Sequence, residues 1–233
     1  MKWLDCLLDL IFPRRCEVCG VLLPTDCEYM CWECKDDIPM TYYWDWRENP
    51  AEKILWVRTY LNRVIPLFFY KRESRYITLI HKIKYQGKIG LGHYMGRMLG
   101  EKLKGALSDV DYIVPVPLHP LRKWHRGYNQ AEIIGRGVAE VLFGKDNVNR
   151  HLRTDILKRV RYTRTQTRRK MDDKWSNVAN AFRPHNTKDL SGKHILIIDD
   201  VLTTGSTAEA AYTALTIVCK DCKISFATLG YVE

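Results

Sequence analysis

Two groups of residues in this 233-residue chain have the types and spacing to do chemistry. The first is the run Ile195-Leu-Ile-Ile-Asp199-Asp200-Val-Leu-Thr203-Thr204-Gly205-Ser206-Thr207. An apolar stretch delivers two consecutive acids, and a turn of hydroxyl residues and glycine then opens a helix. Such a turn aims several backbone N–H groups at one point. Thr203, Thr204, Ser206 and Thr207 add hydroxyl donors, Gly205 admits close approach, and the helix N-terminus adds partial positive charge. The result is a cradle for a phosphate monoester. The second group is Cys16-Glu-Val-Cys19-Gly20 with Cys31-Trp-Glu-Cys34, two C-x2-C pairs eleven residues apart. Each pair can present two thiolates from one tight turn. Together they make a closed tetrahedral Zn2+ site, with no open position for substrate and therefore a structural role.

Asp199 and Asp200 cannot bind phosphate themselves. They can accept hydrogen bonds from sugar hydroxyls, directly or around Mg2+. A phosphate cradle with adjacent diol acceptors describes a ribose 5-phosphate site. A magnesium-aspartate phosphotransfer site would use the two acids but leave the Thr-Thr-Gly-Ser-Thr turn without a role. The G-x4-G-K-[ST] phosphate loop is absent. The remaining cysteines read as bland: Cys6 as packing, Cys27 as a buried or free thiol, and the pair Cys219 and Cys222 as a surface feature rather than a redox or metal site.

These groups need elements to position them. Asp111–Pro117 and His194–Ile198 read as short buried strands, and Lys223–Tyr231 as a final strand. Residues 129–143 read as a helix with Ala131, Ile134, Val138 and Val141/Leu142 on one stripe. Residues 206–218 read as a helix burying Ala210, Ala211, Ala214, Leu215 and Val218, and Gly92–Leu107 as one burying Met95, Met98, Leu99 and Leu103. Alternating strands and helices predict an α/β fold with a mainly parallel sheet, whose ligands sit at the carboxyl ends of strands. The loops after Pro117 and Ile198 are therefore where chemistry is expected. The organisation expected is an N-terminal helix and cysteine module in 1–40, a connecting region in 41–110 and the α/β core in 111–233.

The net charge of +10 is unevenly spread. Residues 118–170 hold fourteen Lys and Arg against four acids, a difference that equals the net charge of the whole chain. A basic segment in an otherwise neutral protein suggests a polyanionic partner, either a phosphorylated ligand or nucleic acid. No apolar run approaches the roughly 18 residues of a membrane span. In MKWLDCLLDLIF, Asp5 and Asp9 interrupt the apolar stretch and no cleavage site follows, so this segment reads as an amphipathic helix packed on the body. The expected location is the cytoplasm.

The Asp199–Thr207 segment resembles the ribose-phosphate signature of type I phosphoribosyltransferases. Leu79–Gly87 (LIHKIKYQG), Val114–Gln130 (VPVPLHPLRKWHRGYNQ), Thr165-Gln166, Asn177-Val178 with Phe182, and the leading four-cysteine module resemble the ComF family of competence-associated proteins, over nearly the whole chain. One departure is that Trp175 and Ser176 precede Asn177, where the family carries an Arg.

The resemblance implies a type I phosphoribosyltransferase-like sheet flanked by helices. It implies phosphoribosyl diphosphate as ligand, with Mg2+, and displacement at the ribose C1 with diphosphate leaving. Asp199, Asp200 and Arg126 would act at the reacting centre. The 5-phosphate would lie in Thr203–Thr207. Arg122, Lys123, Arg126 and Gly127 would meet the diphosphate, while Asn129 and Gln130 either bind ligand or begin the helix. A mobile loop over 158–178 would contribute from Arg161, Arg164, Gln166, Arg168 and Arg169.

A hood selecting the acceptor is expected from residues 41–90, with Tyr42, Tyr43, Trp44, Trp46, Tyr60, Phe68, Phe69, Tyr70 and Tyr85 available for stacking or for core packing. Lys84 and Tyr85 are the most site-like there. The family association adds two alternatives to a transferase: a non-catalytic ligand sensor, or a competence protein binding single-stranded DNA or a DNA-uptake helicase.

Overall fold

The computed structural model describes residues 13–160 and 181–233. After the cysteine turns come α1 (Trp32–Asp36), α2 (Pro50–Lys53), β1 (Val64–Phe69), α3 (Ile77–Tyr85) and α4 (Ile89–Ala106). Then follow β2 (Tyr112–Pro115), α5 (Pro120–Arg126), α6 (Gln130–Phe143), a 3-10 turn over Lys145–Asn147 and α7 (Val148–His151). The remainder is β3 (Leu157–Arg159), β4 (Phe182–Pro184), β5 (His194–Leu202), α8 (Ser206–Thr216) and β6 (Lys223–Tyr231). The cysteine module thus leads into an α/β body with a mainly parallel sheet, as expected.

The main sheet has the order β1-β6-β5-β2 and every pairing in it is parallel. β3 and β4 form a small antiparallel pair beside it. A parallel sheet covered on both faces needs strands that are apolar throughout, which VIPLFF and HILII supply. Alternation then sorts the side chains. Leu196 and Ile198 join the cluster under α3, α4 and α6, while Ile195 and Ile197 join the one under α8. α4 and α6 approach closely: a Cβ added at Gly96 would lie 2.2 Å from the Ile134 carbonyl oxygen, and one at Gly137 2.3 Å from that of His93.

Several elements differ from the expectation. β1 was hidden because its central Pro66 argues against a strand; it is tolerated because β1 lies at the sheet edge, where β6 is the only strand beside it among the described residues and the segment around Met40 adds just an isolated bridge at Phe68. β5 runs on to Leu202, because β6 is long enough to pair with Asp199, Val201 and Leu202. The acids therefore lie within the strand rather than after it. The loop after Pro117 contains α5. His119 Nδ1 caps it by accepting from the Leu121 N–H at 3.3 Å, Pro120 fits the first turn, and Gly127 ends it at φ 80°. α8 ends at Thr216, so Val218 is 42% exposed rather than inward. Met98, Val141 and Leu142 are only half-buried. Cys219 and Cys222 are not a surface accident: they are disulfide-bonded in the α8–β6 turn, with Cys219 buried beside Leu190.

The expected N-terminal helix with Cys6, and Arg161, Arg164, Gln166, Arg168, Arg169, Asn177 and Val178, lie outside the described residues. Among the described residues, no helix is long and apolar enough to cross a membrane.

Candidate functional site

The carboxyl ends of β2 and β5 open on a cleft of about 650 Å³. Asp199, Asp200, Thr203 and Thr207 line it from the β5–α8 segment, Arg122 and Arg126 from α5, Lys84 and Tyr85 from α3, and Arg159 from β3. Four elements far apart in sequence thus converge on one space.

The phosphate turn is tightly specified. Gly205 has φ 77° and forms the N-cap of α8. A Cβ there would lie 2.6 Å from Cδ2 of the buried Leu55, so both backbone conformation and space require glycine. The Thr204 carbonyl accepts from Arg58 Nη2 at 3.0 Å, while Arg58 Nη1 meets Glu209 Oε2 at 3.1 Å. Tying down that carbonyl leaves the first amides of α8, which have no acceptor within the helix, to serve an anion. Thr203 and Thr207 face the cleft, whereas the Thr204 and Ser206 hydroxyls bond one another at 2.9 Å. Arg58 escaped the sequence reading. It sits in an unpatterned loop, 146 residues from the carbonyl it holds, and no local spacing marks it.

The acid pair is compact. Asp200 Oδ1 lies 2.9 Å from Lys84 Nζ. Its Oδ2 is buried with no hydrogen-bond partner among the described residues. An unmet buried acceptor costs about 1–3 kcal/mol, which a ligand hydroxyl or a hard cation would recover. Burial, and then the neighbouring charge of Asp200, push the Asp199 carboxyl up to about 7. For Lys84, burial works against the charged form, but Asp200 and Asp199 outweigh it and the pKa is raised. Burial and the nearby Arg122 lower that of Arg159, against the pull of Asp199. Oxygen ligands from two carboxylates suit Mg2+, and a bound ligand's own oxygens would complete such a set.

On α5, Arg122 and Arg126 are four residues apart and share the face toward the cleft. Lys123, one step round the helix, is exposed and does not line it. Gly127 closes the helix rather than lining the cleft. Arg126 donates to Gln130 Oε1 and lies 5.3 Å over the Tyr85 ring. Asn129 begins α6: its Oδ1 accepts from the Ala131 N–H at 3.1 Å and its Nδ2 donates to the Val116 carbonyl at 3.0 Å. Of the nine aromatics expected as hood candidates, Tyr85 is the one that lines the cleft. Phe68 and Trp44 are core, and Tyr43 packs against Phe69 and Tyr231.

The four thiols Cys16, Cys19, Cys31 and Cys34 lie within 4.8 Å of one another, and all but Cys19 are buried. The Cys31 N–H donates to Cys16 Sγ at 3.4 Å. Burial opposes ionisation of Cys16, but amides of Cys19, Cys31 and Val18 bring it down to about 6. Burial and the adjacent sulfurs push Cys34 strongly up. One thiolate excludes the others until a cation is shared among them, so the cluster fits Zn2+. Elsewhere, His194 bonds Asp109 and Ser225 at 2.8 Å each, like a nucleophilic triad. Ser225 is fully buried and its Oγ also accepts from Asn62, so this group is structural.

Residues 134–230 match the phosphoribosyl transferase domain family. The chain is 33% identical over 135 residues to Competence protein F of Haemophilus influenzae, covering 55% of this chain and 56% of that protein. Over this stretch the chain is similar to competence proteins of the F type. It is also 32% identical over 143 residues to DNA utilization protein YhgH of Escherichia coli K12, covering 59% of the chain and 60% of the relative. The similarity to YhgH of Salmonella typhimurium is 33% over 143 residues. The matched stretch thus spans less than two thirds of each relative's length.

Proposed function

We propose that this chain is a ComF-type protein that binds phosphoribosyl diphosphate with Mg2+ in the β2–β5 cleft and transfers the phosphoribosyl group to an acceptor. The observation that carries this is the juxtaposition, in one cleft, of the Thr203–Thr207 turn, the acid pair with its unmet Asp200 Oδ2, and Arg122 and Arg126. In this reading the 5-phosphate sits on the first amides of α8, and Asp199 and Asp200 accept from the ribose hydroxyls. The diphosphate lies toward α5. Displacement breaks the bond from C1 to diphosphate oxygen, and the electron pair departs with diphosphate through an oxocarbenium-like transition state. Arg122 and Arg126 stabilise the charge that develops on the leaving group. Mg2+ held with the diphosphate would neutralise further charge. Tyr85, held under Arg126, offers a face on which an acceptor base stacks.

Calorimetric titration with phosphoribosyl diphosphate and Mg2+ tests the reading. Binding is expected in the wild type and lost when Asp199 and Asp200 are both changed to Ala; a wild type that gives no heat sinks it. Diphosphate release across a panel of acceptors then separates a transferase from a sensor that binds without turnover.

The relatives' names, a competence protein and a DNA utilization protein, support a role in DNA uptake. The Arg-rich segment offers charge for single-stranded DNA or a helicase that carries it. Binding of single-stranded DNA that weakens with salt, and is lost when Arg164, Arg168 and Arg169 become Ala, is the expected result; no binding, or binding insensitive to salt, removes direct DNA contact.

A further inference from the structure

The cysteine cluster and the cleft are joined through α3. Glu17 sits between Cys16 and Cys19, and its carboxylate meets Lys82 Nζ and Lys88 Nζ, each at 2.9 Å. Lys82 Nζ also donates to the Glu17 carbonyl at 2.8 Å. α3 is therefore fastened to the backbone of the metal turn as well as to a side chain. Cys16, Cys31 and Cys34 belong to the same apolar cluster as Ile80 and Ile83 of α3. Two residues beyond Lys82, and so on a different face of the helix, Lys84 reaches Asp200. The last turn of α3 is held from the cleft side too: the Tyr128 hydroxyl donates to the Ile83 carbonyl, and Arg126 lies over Tyr85. One short helix thus touches the metal turn on one side and the acid pair and the α5 segment on the other.

We propose that the four-cysteine turn is a positioning element of the ligand site: through Glu17 it clamps α3 and so sets Lys84 against the acid pair, linking metal occupancy to affinity for phosphoribosyl diphosphate. The inference rests on the reading of the cleft given above. Glu17 is bonded directly to Cys16, so a turn that loses its cation carries Glu17 with it. Lys82 then loses both of its acceptors, and the helix that delivers one of the cleft's cations loses its fixed seat. Linkage is reciprocal, so ligand in the cleft also raises the equilibrium affinity for the metal by the same factor.

The test uses the full chain loaded with zinc and the Glu17→Gln variant, which keeps all four cysteines. Glu17→Gln is expected to retain wild-type zinc content and to bind Mg2+-phosphoribosyl diphosphate about three- to tenfold more weakly, within the range by which substitutions between two sites modulate their coupling. In the wild type, ligand should shift the equilibrium partition of zinc away from a chromophoric chelator by a similar factor, and in Glu17→Gln it should not. If Glu17→Gln sheds its zinc, Lys82→Met, whose side chain is no part of the cysteine turns, carries the same expectation. Unchanged affinity at full zinc content, with the zinc partition indifferent to ligand, overturns the inference while leaving the cleft's function standing. A wild type that binds no phosphoribosyl diphosphate overturns both.

Discussion

Replacing Gly205 by Ala places a methyl group where the phosphate turn has no room for one. The magnitude has two parts. At φ 77° an L-residue with a Cβ costs about 1–2 kcal/mol more than glycine. The new Cβ would also lie 2.6 Å from Leu55 Cδ2, and Leu55 is 1% exposed, so the clash is not relieved into solvent. Overpacking of this kind costs about 1–3 kcal/mol. Gly205→Ala should therefore lose about 2–5 kcal/mol, the sum of the two. Leu55→Ala alone should lose about 2–5 kcal/mol as a core truncation. The double variant removes the clash but keeps the backbone penalty. It should fall short of additivity by about 1–3 kcal/mol, the overpacking part. Urea unfolding of the four proteins measures the cycle, and titration with ribose 5-phosphate reports whether the rescued turn regains its ligand. Additivity within about 0.5 kcal/mol would refute the claim that Leu55 sets the shape of the turn.

Further outcomes follow from the same geometry. Asp199 is raised from an ordinary 3.8 to about 7, so its contribution to the stability of the ligand-free fold is present at low pH and lost as pH rises through about 7. The urea midpoint should decline between about pH 4 and 7 more steeply in the wild type than in Asp199→Asn, and parallel declines would contradict this assignment. Arg58→Met should weaken ribose 5-phosphate about tenfold by releasing the Thr204 carbonyl, at the scale of one charge-assisted hydrogen bond of about 1.5–3 kcal/mol, while leaving inorganic diphosphate binding unchanged. Equal loss for both ligands places Arg58 in general stability instead. Arg126→Ala should weaken diphosphate binding at least tenfold and Lys123→Ala less than twofold, since a buried or clustered charge contact is worth about 1.4 kcal/mol or more and an exposed one little. The reverse order would place α5 in another orientation.

Much of this protein was legible in local pattern. The β5–α8 run stood out because hydroxyls, glycine and a helix start follow in immediate succession, the contiguous trace that a phosphate cradle would leave. The C-x2-C pairs did the same, because four thiolates on one ion require tight turns at fixed spacing. Lys223–Tyr231 was legible to the residue as an apolar strand. What local pattern missed was set by neighbours. Pro66 disguised β1, whose place depends on lying at the sheet edge beside β6. The length of β5 depended on the length of its partner β6. On α5, Arg122, Lys123 and Arg126 are equivalent in composition, and the helix that separates them exists only because His119 and Gly127 cap it within the folded loop.

The sequence by itself determined the chemistry on offer: a phosphate turn, two adjacent acids, a basic segment and a four-thiol cluster. These are short-range arrangements, and each is written within a few residues. Only the tertiary structure decided which cations accompany the acids, that Arg58 holds the Thr204 carbonyl from outside the turn, and that the four-cysteine turn is joined to α3 through Glu17 and Lys82. Those pairings join residues up to 151 positions apart, such as Arg58 with Glu209. Partnerships over such distances depend on how the sheet orders its strands and how α3 lies between two sites, and neither is encoded in the spacing of any single segment.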